Sequence, residues 1–343
     1  MSEYQYYEFL AIDRPLTGTE MAELRARSTR ARITPTSFVN EYSWGDLKGD
    51  PDDWMARYFD AFCYLANWGT RILKLRLPSR LLAPEVAASF CRGDAVRCRE
   101  TGGRIIVSFR SEEEGGSWDE EEADLASMVG VRAELARGDL RALYLGWLLQ
   151  VQAGELADDE AEPAVPAGLG EPSAALASMA DFLRIDPDLL AVAAQASPAR
   201  PAPTTLARQE VAAWVAGLPG PEKDDLLATL ILDDDDTVAA VLRQRFLAAR
   251  SGGRPEAPPR RRTAGELLAA AERYGEERRR QEAEEQAQEE ARRQQEAAKA
   301  RKKYLASQTG REPKLWAKVE TLAGSKQPRG YDEAVALLVD LRD

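Results

Sequence analysis

The stretch from Thr263 to Ser307 constrains this sequence most, because its composition suits a solvated helix and no globular core. Between Gly275 and Lys303 there is no Val, Leu, Ile, Met or aromatic residue. Charged residues recur instead at helical spacing, as with Glu289 and Arg293, and each such pair stabilises a helix by about 0.2–0.5 kcal/mol. The sequence therefore predicts one long charged helix that separates a compact region before it from a short helical module after it.

A capping box marks the start of this helix, since Thr263 precedes Glu266 by three residues. The only apolar stripe within it, Ala283, Ala287 and Ala291, is too shallow to drive a strong coiled coil. If fully helical, its roughly 45 residues would extend about 65–70 Å, at about 1.5 Å per residue. We therefore interpret the long helix as a spacer.

The chain of 343 residues is acidic, with a formal net charge of -12. Its length allows about two domains and a core of useful size. The excess of acid argues against a general nucleic-acid or membrane-surface binder, since both classes meet phosphates with Lys and Arg. The first residues carry neither a basic nor an apolar signal region, and no run approaches about 18 apolar residues. We expect a cytoplasmic protein with no membrane partner.

The absence of histidine excludes histidine-containing zinc sites, Ser-His-Asp triads and imidazole acid–base catalysis together. The three cysteines, Cys63, Cys91 and Cys98, show no C-x-x-C spacing and are predicted to be buried structural residues. Acidic runs at 119–124 and 233–236 fit the first turns of helices better than cation sites. The sequence thus predicts no catalytic, cofactor-binding or metal-binding residue and no enzymatic activity.

The first part of the chain is predicted to be an α+β domain, with a mixed or antiparallel sheet and helices. Tyr4–Ile12 has few polar positions on either face, which places it at the centre of the sheet. Thr70–Leu77 alternates apolar and polar residues and predicts a strand with one wetter face. A hairpin is predicted across Gly102-Gly103. Asp50, followed by a proline, opens a helix that is predicted to reach about Phe62.

The rest of the chain is predicted to be helical. An alanine-rich region is predicted to contain a three-helix cluster around Trp214, Leu227, Leu230, Val241 and Phe246, and the charged helix is followed by two amphipathic helices. The predicted divisions are an α+β domain at 1–153, an alanine-rich helical region at 154–253, a linker at 254–262, the long charged helix at 263–309 and a C-terminal helical hairpin at 310–343.

The C-terminal hairpin is too short to fold firmly by itself, because roughly thirty residues bury little apolar area. Its apolar residues are therefore predicted to dock on something, as an amphipathic helix docks in a groove. The alternative is that they pair with one another or fold back on the chain, and the sequence leaves both open. The predicted docking residues are Trp316, Val319, Leu322, Tyr331, Val335, Leu338 and Leu341.

The favoured function is a non-enzymatic interaction or adaptor protein of a multi-protein system, in which the long helix presents the hairpin to a protein partner. Nucleic acid is a less favoured partner. A nucleic-acid-associated accessory factor would contact the anionic polymer through Arg260, Arg261 and Arg262 and through the arginines at 278–280. A carboxylate-based hydrolase is the other alternative, and it needs a concave site with a raised carboxyl pKa.

Five segments share one resemblance: YQYYEFLAIDRPLT (Tyr4–Thr17), ITPTSFVNEYSWGDLKGDP (Ile33–Pro51), YLANWGTRILKLRLP (Tyr64–Pro78), ALYLGWLLQVQAGEL (Ala142–Leu156) and DFLRIDPDLL (Asp181–Leu190). They resemble a bacterial protein family of unknown function over most of the chain, and this resemblance brings no assigned activity and no catalytic residues. The tail LWAKVETLAGSKQPRGYDEAVALLVDLRD (Leu315–Asp343) is similar to segments of bacterial SWIM zinc-finger proteins. The chain lacks the finger itself, so this similarity implies a shared docking module.

Overall fold

The computed structural model describes residues 4–113, 124–200, 207–232, 237–250, 261–324 and 328–342. An antiparallel sheet fills its N-terminal part. The strands are β1 (Gln5–Leu10), β2 (Arg32–Thr34), β3 (Ser37–Tyr42), β4 (Ala61–Ala66), β5 (Arg71–Pro78), β6 (Val96–Thr101) and β7 (Arg104–Ser111). Their order across the sheet is β2-β3-β1-β4-β5-β7-β6, and every neighbouring pair is antiparallel.

Helices alternate with the early strands and make up most of the chain after β7. In chain order they are α1 (Gly18–Arg27), α2 (Pro51–Arg57), α3 (Pro84–Ala88), α4 (Leu125–Met128), α5 (Gly130–Ala136), α6 (Arg141–Gln152), α7 (Ala174–Phe182), α8 (Pro187–Ala194), α9 (Arg208–Gly217), α10 (Gly220–Leu232), α11 (Thr237–Arg250), α12 (Ala264–Gln308), α13 (Glu312–Gly324) and α14 (Pro328–Arg342). The predicted fold class, an α+β part followed by helices, one of them long, is confirmed.

Strand β1 lies at the centre of its half of the sheet, as predicted, and pairs with β3 on one side and β4 on the other. The helix predicted from Asp50 to about Phe62 is wrong at its end. Asp50 caps α2, but the helix stops at Arg57 and Ala61 begins β4. Five of the six residues of β4 are buried, because helices cover both faces of the sheet. An apolar run of this kind lacks the alternation that marks a strand.

The wetter face predicted for β5 is also wrong. Lys74 and Arg76, the polar residues of that face, are both buried. Lys74 pairs with the Asp52 carboxylate, and Arg76 pairs with the carboxylate of Asp60. The charges of Lys74 and Arg76 are therefore neutralised by carboxylate partners instead of being exposed to water. The hairpin between β6 and β7 is confirmed, and Gly102 and Gly103 both have the positive φ that its turn requires.

Hydrophobic residues pack against both faces of the sheet. Under α1 and α2 lies an aromatic cluster that includes Phe9 and Phe38, whose ring centroids are 5.8 Å apart. Helices α4 to α8 cover the other face. That larger core continues past the predicted boundary at residue 153, because Leu176 of α7, Leu189 of α8 and Leu267 of α12 all belong to it. Cys63 is buried there as predicted, whereas Cys91 and Cys98 are only partly buried and form a disulfide.

Helix α6 can lie close to the sheet because Gly146 has no side chain. A Cβ atom at this position would come within 2.7 Å of the Phe109 ring and 3.0 Å of Val96. We therefore expect Gly146→Ala to lower the free energy of unfolding by about 1–3 kcal/mol through overpacking. Urea denaturation measures the change. The control is Gly217→Ala, at an open position in α9, and an equal loss in both variants would contradict the explanation.

The chain divides into two compact units, residues 1–274 and 275–343. The capping box predicted at the start of α12 is present: Glu266 and Thr263 exchange hydrogen bonds of 3.1 and 3.3 Å. In the second unit every residue from 281 to 300 is exposed. The predicted pair between Glu289 and Arg293 is 2.8 Å long. The middle of the long helix is thus solvated, as its composition predicts.

The predicted helical cluster of the alanine-rich region is only partly present. Trp214 of α9 contacts Phe246 of α11, with ring centroids 5.6 Å apart. Leu227 and Leu230 of α10 were predicted to join this cluster, but both are exposed. They share one face of α10 with Ile231, which is exposed as well. An apolar stripe on α10 therefore faces solvent in the part of the chain that the structure describes.

Candidate docking surface

The C-terminal hairpin consists of α13 and α14, which contact each other closely. Val319 of α13 and Ala334 of α14 are buried, and Leu322 and Leu341 are partly buried. Three of the predicted docking residues, Val319, Leu322 and Leu341, are thus at least partly covered. The sequence left open that such residues pair within the chain. That alternative fits these three residues best. Gly330, in the first turn of α14, is buried as well.

The other four predicted docking residues are exposed. Val335 is 58% exposed, Tyr331 is 50% exposed, and Leu338 and Trp316 are also open to solvent. Val339, which the sequence analysis did not select, is exposed beside them. We call Tyr331, Val335, Leu338 and Val339 of α14 the open stripe. Their spacing of i, i+4, i+7 and i+8 places them on one face of the helix.

Two neighbouring rows of residues run along α14. The inner row, Gly330, Ala334, Leu337 and Leu341, is buried or partly buried. The open stripe begins one residue later, at Tyr331, and its first three residues repeat the i, i+4, i+7 spacing. Because one residue turns a helix by about 100°, the two rows lie on adjacent faces. α14 thus has the two apolar faces of a helix that packs against two partners. Within the hairpin, α13 is one of these partners.

A third face of α14 is held by the long helix. Arg301 of α12 forms an ion pair with Asp340. Tyr304, one turn further along α12, hydrogen-bonds the same carboxylate, and this bond raises the pKa of the tyrosine. These polar contacts lie within the second unit and help to orient α14. The open stripe is left on a face that neither α13 nor these residues occupy.

The three arginines predicted as candidate anion contacts have different surroundings. Arg260 lies outside the described residues, and Arg261 is exposed. Arg262 forms a two-point ion pair with Glu162, at 2.9 and 2.8 Å, and donates a further hydrogen bond to the Val192 carbonyl. Arg262 is therefore a structural residue that joins the start of α12 to the core. Only Arg261 remains as a described member of this group with a side chain open to an anion.

Glu162 accepts hydrogen bonds in a buried network that the sequence does not indicate. Tyr144 of α6 donates a hydrogen bond to its carboxylate, and burial together with this bond raises the pKa of the tyrosine. The Glu162 N–H also donates to the Arg262 carbonyl, and Ala161 bridges Thr263 in a short antiparallel ladder. The network depends on residues about a hundred positions apart, so no local pattern indicates it.

Two of the three arginines at 278–280 have partners within the long helix. Arg278 and Arg280 pair with Glu282 and Glu284, at 2.8 and 3.1 Å. These pairs are exposed, so each contributes little to stability. The pairing balances two of the three positive charges that a nucleic-acid contact at 278–280 would use.

Acidic groups in the described part of the chain form no cluster with the composition of a metal site. Of the two acidic runs, residues 119–123 and 233–236 lie outside the described residues, while Asp124 caps α4. Glu8 of β1 has a raised pKa, chiefly because it is buried. It hydrogen-bonds Tyr6 and does not line the cavity beside α3 and α6. The carboxyl group with a raised pKa therefore does not lie in the cavity.

No protein family, curated protein or solved structure shows significant similarity to the chain. The resemblances noted in the sequence stay predictions. None of the described helices is long and apolar enough to cross a membrane.

Proposed function

We propose that this chain is a non-enzymatic interaction protein, an adaptor in a bacterial multi-protein system. The open stripe on α14 carries the proposal. Val335 and Tyr331 are at least half exposed although their neighbours in the inner row are covered. A contiguous row of exposed apolar side chains on an ordered helix is the surface that helix-in-groove partners bury. The partner we propose is a protein with an apolar groove.

An adaptor needs a second contact surface, and α10 supplies a candidate. Leu227, Leu230 and Ile231 form an exposed apolar stripe in the first unit. The open stripe belongs to the second unit, and α12 connects the two. Two separate apolar surfaces on one chain favour a protein that binds two partners over one that only folds on itself. The solvated middle of α12 fits the role of a connector.

The test replaces two residues of the open stripe by charged ones. We expect Val335→Glu with Leu338→Glu to weaken binding of the C-terminal partner by at least about 30-fold, because burying a carboxylate in an apolar contact costs roughly 2 kcal/mol or more. Partners are captured on the full-length chain, identified by mass spectrometry, and titrated as purified proteins. Deletion of residues 311–343 should abolish the same interaction.

The matched control is Ala336→Glu, an exposed position on another face of α14. It adds one carboxylate to the same helix without touching the open stripe, so we expect binding within about twofold of the unaltered chain. Circular dichroism checks that each variant keeps its helices. Partners that bind equally well to the doubly charged variant and to the control would remove the proposal.

A further inference from the structure

We propose that a cavity in the first unit binds a small amphipathic molecule with an apolar body and a single carboxylate. The cavity has a volume of about 510 Å³ and is bounded by α3, α6, the segment 160–164 and Arg261. Small-molecule sites commonly occupy about 300–1,000 Å³. This proposal is independent of the docking function, because no residue of the open stripe or of α10 lines the cavity.

The floor of the cavity is apolar. Trp147 of α6 is 1% exposed and Phe90, just after α3, is 5% exposed, yet both line the cavity. Leu140 and Val86 contribute to its walls. Both rings are already shielded from water, so the walls contribute as much apolar contact as the floor. A ligand with an apolar body that fills the cavity would remove its own apolar surface from water, and this removal is what favours binding.

The wall and the floor are fixed to each other by a buried glutamine. Gln150 lies one turn after Trp147 on α6 and is fully buried. Its side-chain amide donates to the Phe90 carbonyl at 2.7 Å, and its oxygen accepts the N–H groups of Arg92 and Gly93 at 2.7 and 2.6 Å. The amide also donates to the Gly146 carbonyl of α6 at 3.1 Å, so the side chain ties the segment after α3 to α6. The cavity is therefore preformed.

The rim carries a cation without a partner among the described residues. Arg262 is turned toward Glu162, and successive side chains in an extended segment point to opposite sides. Arg261 accordingly lines the cavity. No acidic side chain of the described chain forms an ion pair with Arg261, whereas Arg92 lies 3.6 Å from Glu160. The guanidinium of Arg261 is thus available to a ligand.

The charges of the rim limit the charge of the ligand. Glu85 and Glu160 also line the cavity, and Glu160 pairs with Arg92. The two carboxylates repel a dianionic phosphate more strongly than a singly charged ligand. A single carboxylate needs one cation, and a guanidinium can hold it by two parallel hydrogen bonds. The chemistry therefore favours a small monocarboxylate with an apolar body.

The test compares 1-naphthoate with its neutral analogue 1-naphthalenemethanol by isothermal titration calorimetry on the full-length chain. We expect both to bind, and Arg261→Gln to weaken naphthoate by about tenfold while leaving the alcohol unchanged, because only the anion uses the guanidinium. Arg97→Gln, an exposed arginine of β6 outside the cavity, is the matched control and should change neither affinity.

A second variant tests the location. Ala164→Trp places an indole at an exposed position of the cavity wall and should abolish binding of both probes. The proposal is overturned if naphthoate fails to bind the unaltered chain at about 10 mM, a concentration at which weak small-molecule binding is detected. It is equally overturned if Arg261→Gln weakens both probes alike, or if only a peptide with a free carboxyl terminus binds.

Discussion

Replacing Asp60 with alanine is expected to lower the free energy of unfolding by about 3–5 kcal/mol, because it removes one partner of a buried ion pair. Asp60 is 1% exposed. Its Oδ1 accepts hydrogen bonds of 3.1 and 2.8 Å from Arg76, and its Oδ2 accepts the N–H groups of Ile12 and Asp13. The variant leaves a buried guanidinium without its carboxylate. Urea denaturation followed by tryptophan fluorescence measures the loss.

The matched control is Asp94→Ala. Asp94 pairs with Arg97 at 2.9 Å, but both side chains are exposed. Exposed pairs of this kind contribute at most about 1 kcal/mol, and we expect the control to lie near the unaltered chain. If Asp60→Ala lowers the free energy of unfolding no more than Asp94→Ala does, burial does not strengthen the ion pair between Asp60 and Arg76.

The same ion pair makes the stability depend on pH. Burial alone would raise the pKa of Asp60, but Arg76 and the N–H groups of Asp13 and Ile12 outweigh burial and lower it. The native state therefore binds this proton less readily than the unfolded chain does. The stabilisation is complete above the unfolded value of about 3.9 and is lost as pH falls through the lower native pKa. Asp60→Asn should abolish this part of the acid dependence.

The buried charges of β5 show where the sequence stops predicting the fold. The alternation of apolar and polar residues correctly predicts a strand at Thr70–Leu77. It also predicts that the polar face is exposed to water, and this is wrong. Lys74 and Arg76 are instead paired with Asp52 and Asp60, which belong to other elements. The periodicity of a sequence shows which residues are polar, but it does not show which residue each of them pairs with. A carboxylate distant in the chain therefore changes the environment of a strand without leaving a local pattern.

The hairpin shows the same limit at the candidate site. The sequence indicated that α13 and α14 carry more apolar surface than one contact needs, and four of the seven predicted residues are exposed. It could not assign which residues face the partner helix, because the first three residues of the inner row and of the open stripe have the same spacing and are offset by one residue. The small residues Gly330 and Ala334 distinguish the rows, since close helix packing favours them. Weighing residue size with periodicity would have placed Leu341 in the inner row.

Glu162→Gln is expected to lower the free energy of unfolding by about 3 kcal/mol, toward the lower end of the range for buried pairs, since Arg262 retains partial access to water. Glu162 is almost fully buried and receives both Arg262 and Tyr144. The neutral amide keeps the size of the side chain but removes the charge that compensates the guanidinium. Hydrogen exchange should accelerate in residues 264–271, because Arg262 directly precedes α12.

Removing both charges distinguishes loss of the pair from loss of packing. We expect Glu162→Leu with Arg262→Leu to regain most of the stability lost in Glu162→Gln, because well-packed apolar residues often replace a buried pair at little cost. Arg261→Leu is the matched control for Arg262, since it changes the neighbouring arginine, which is exposed. A double variant less stable than Glu162→Gln would show that hydrogen bonds to Tyr144 and Val192, more than the ion pair, attach α12 to the core.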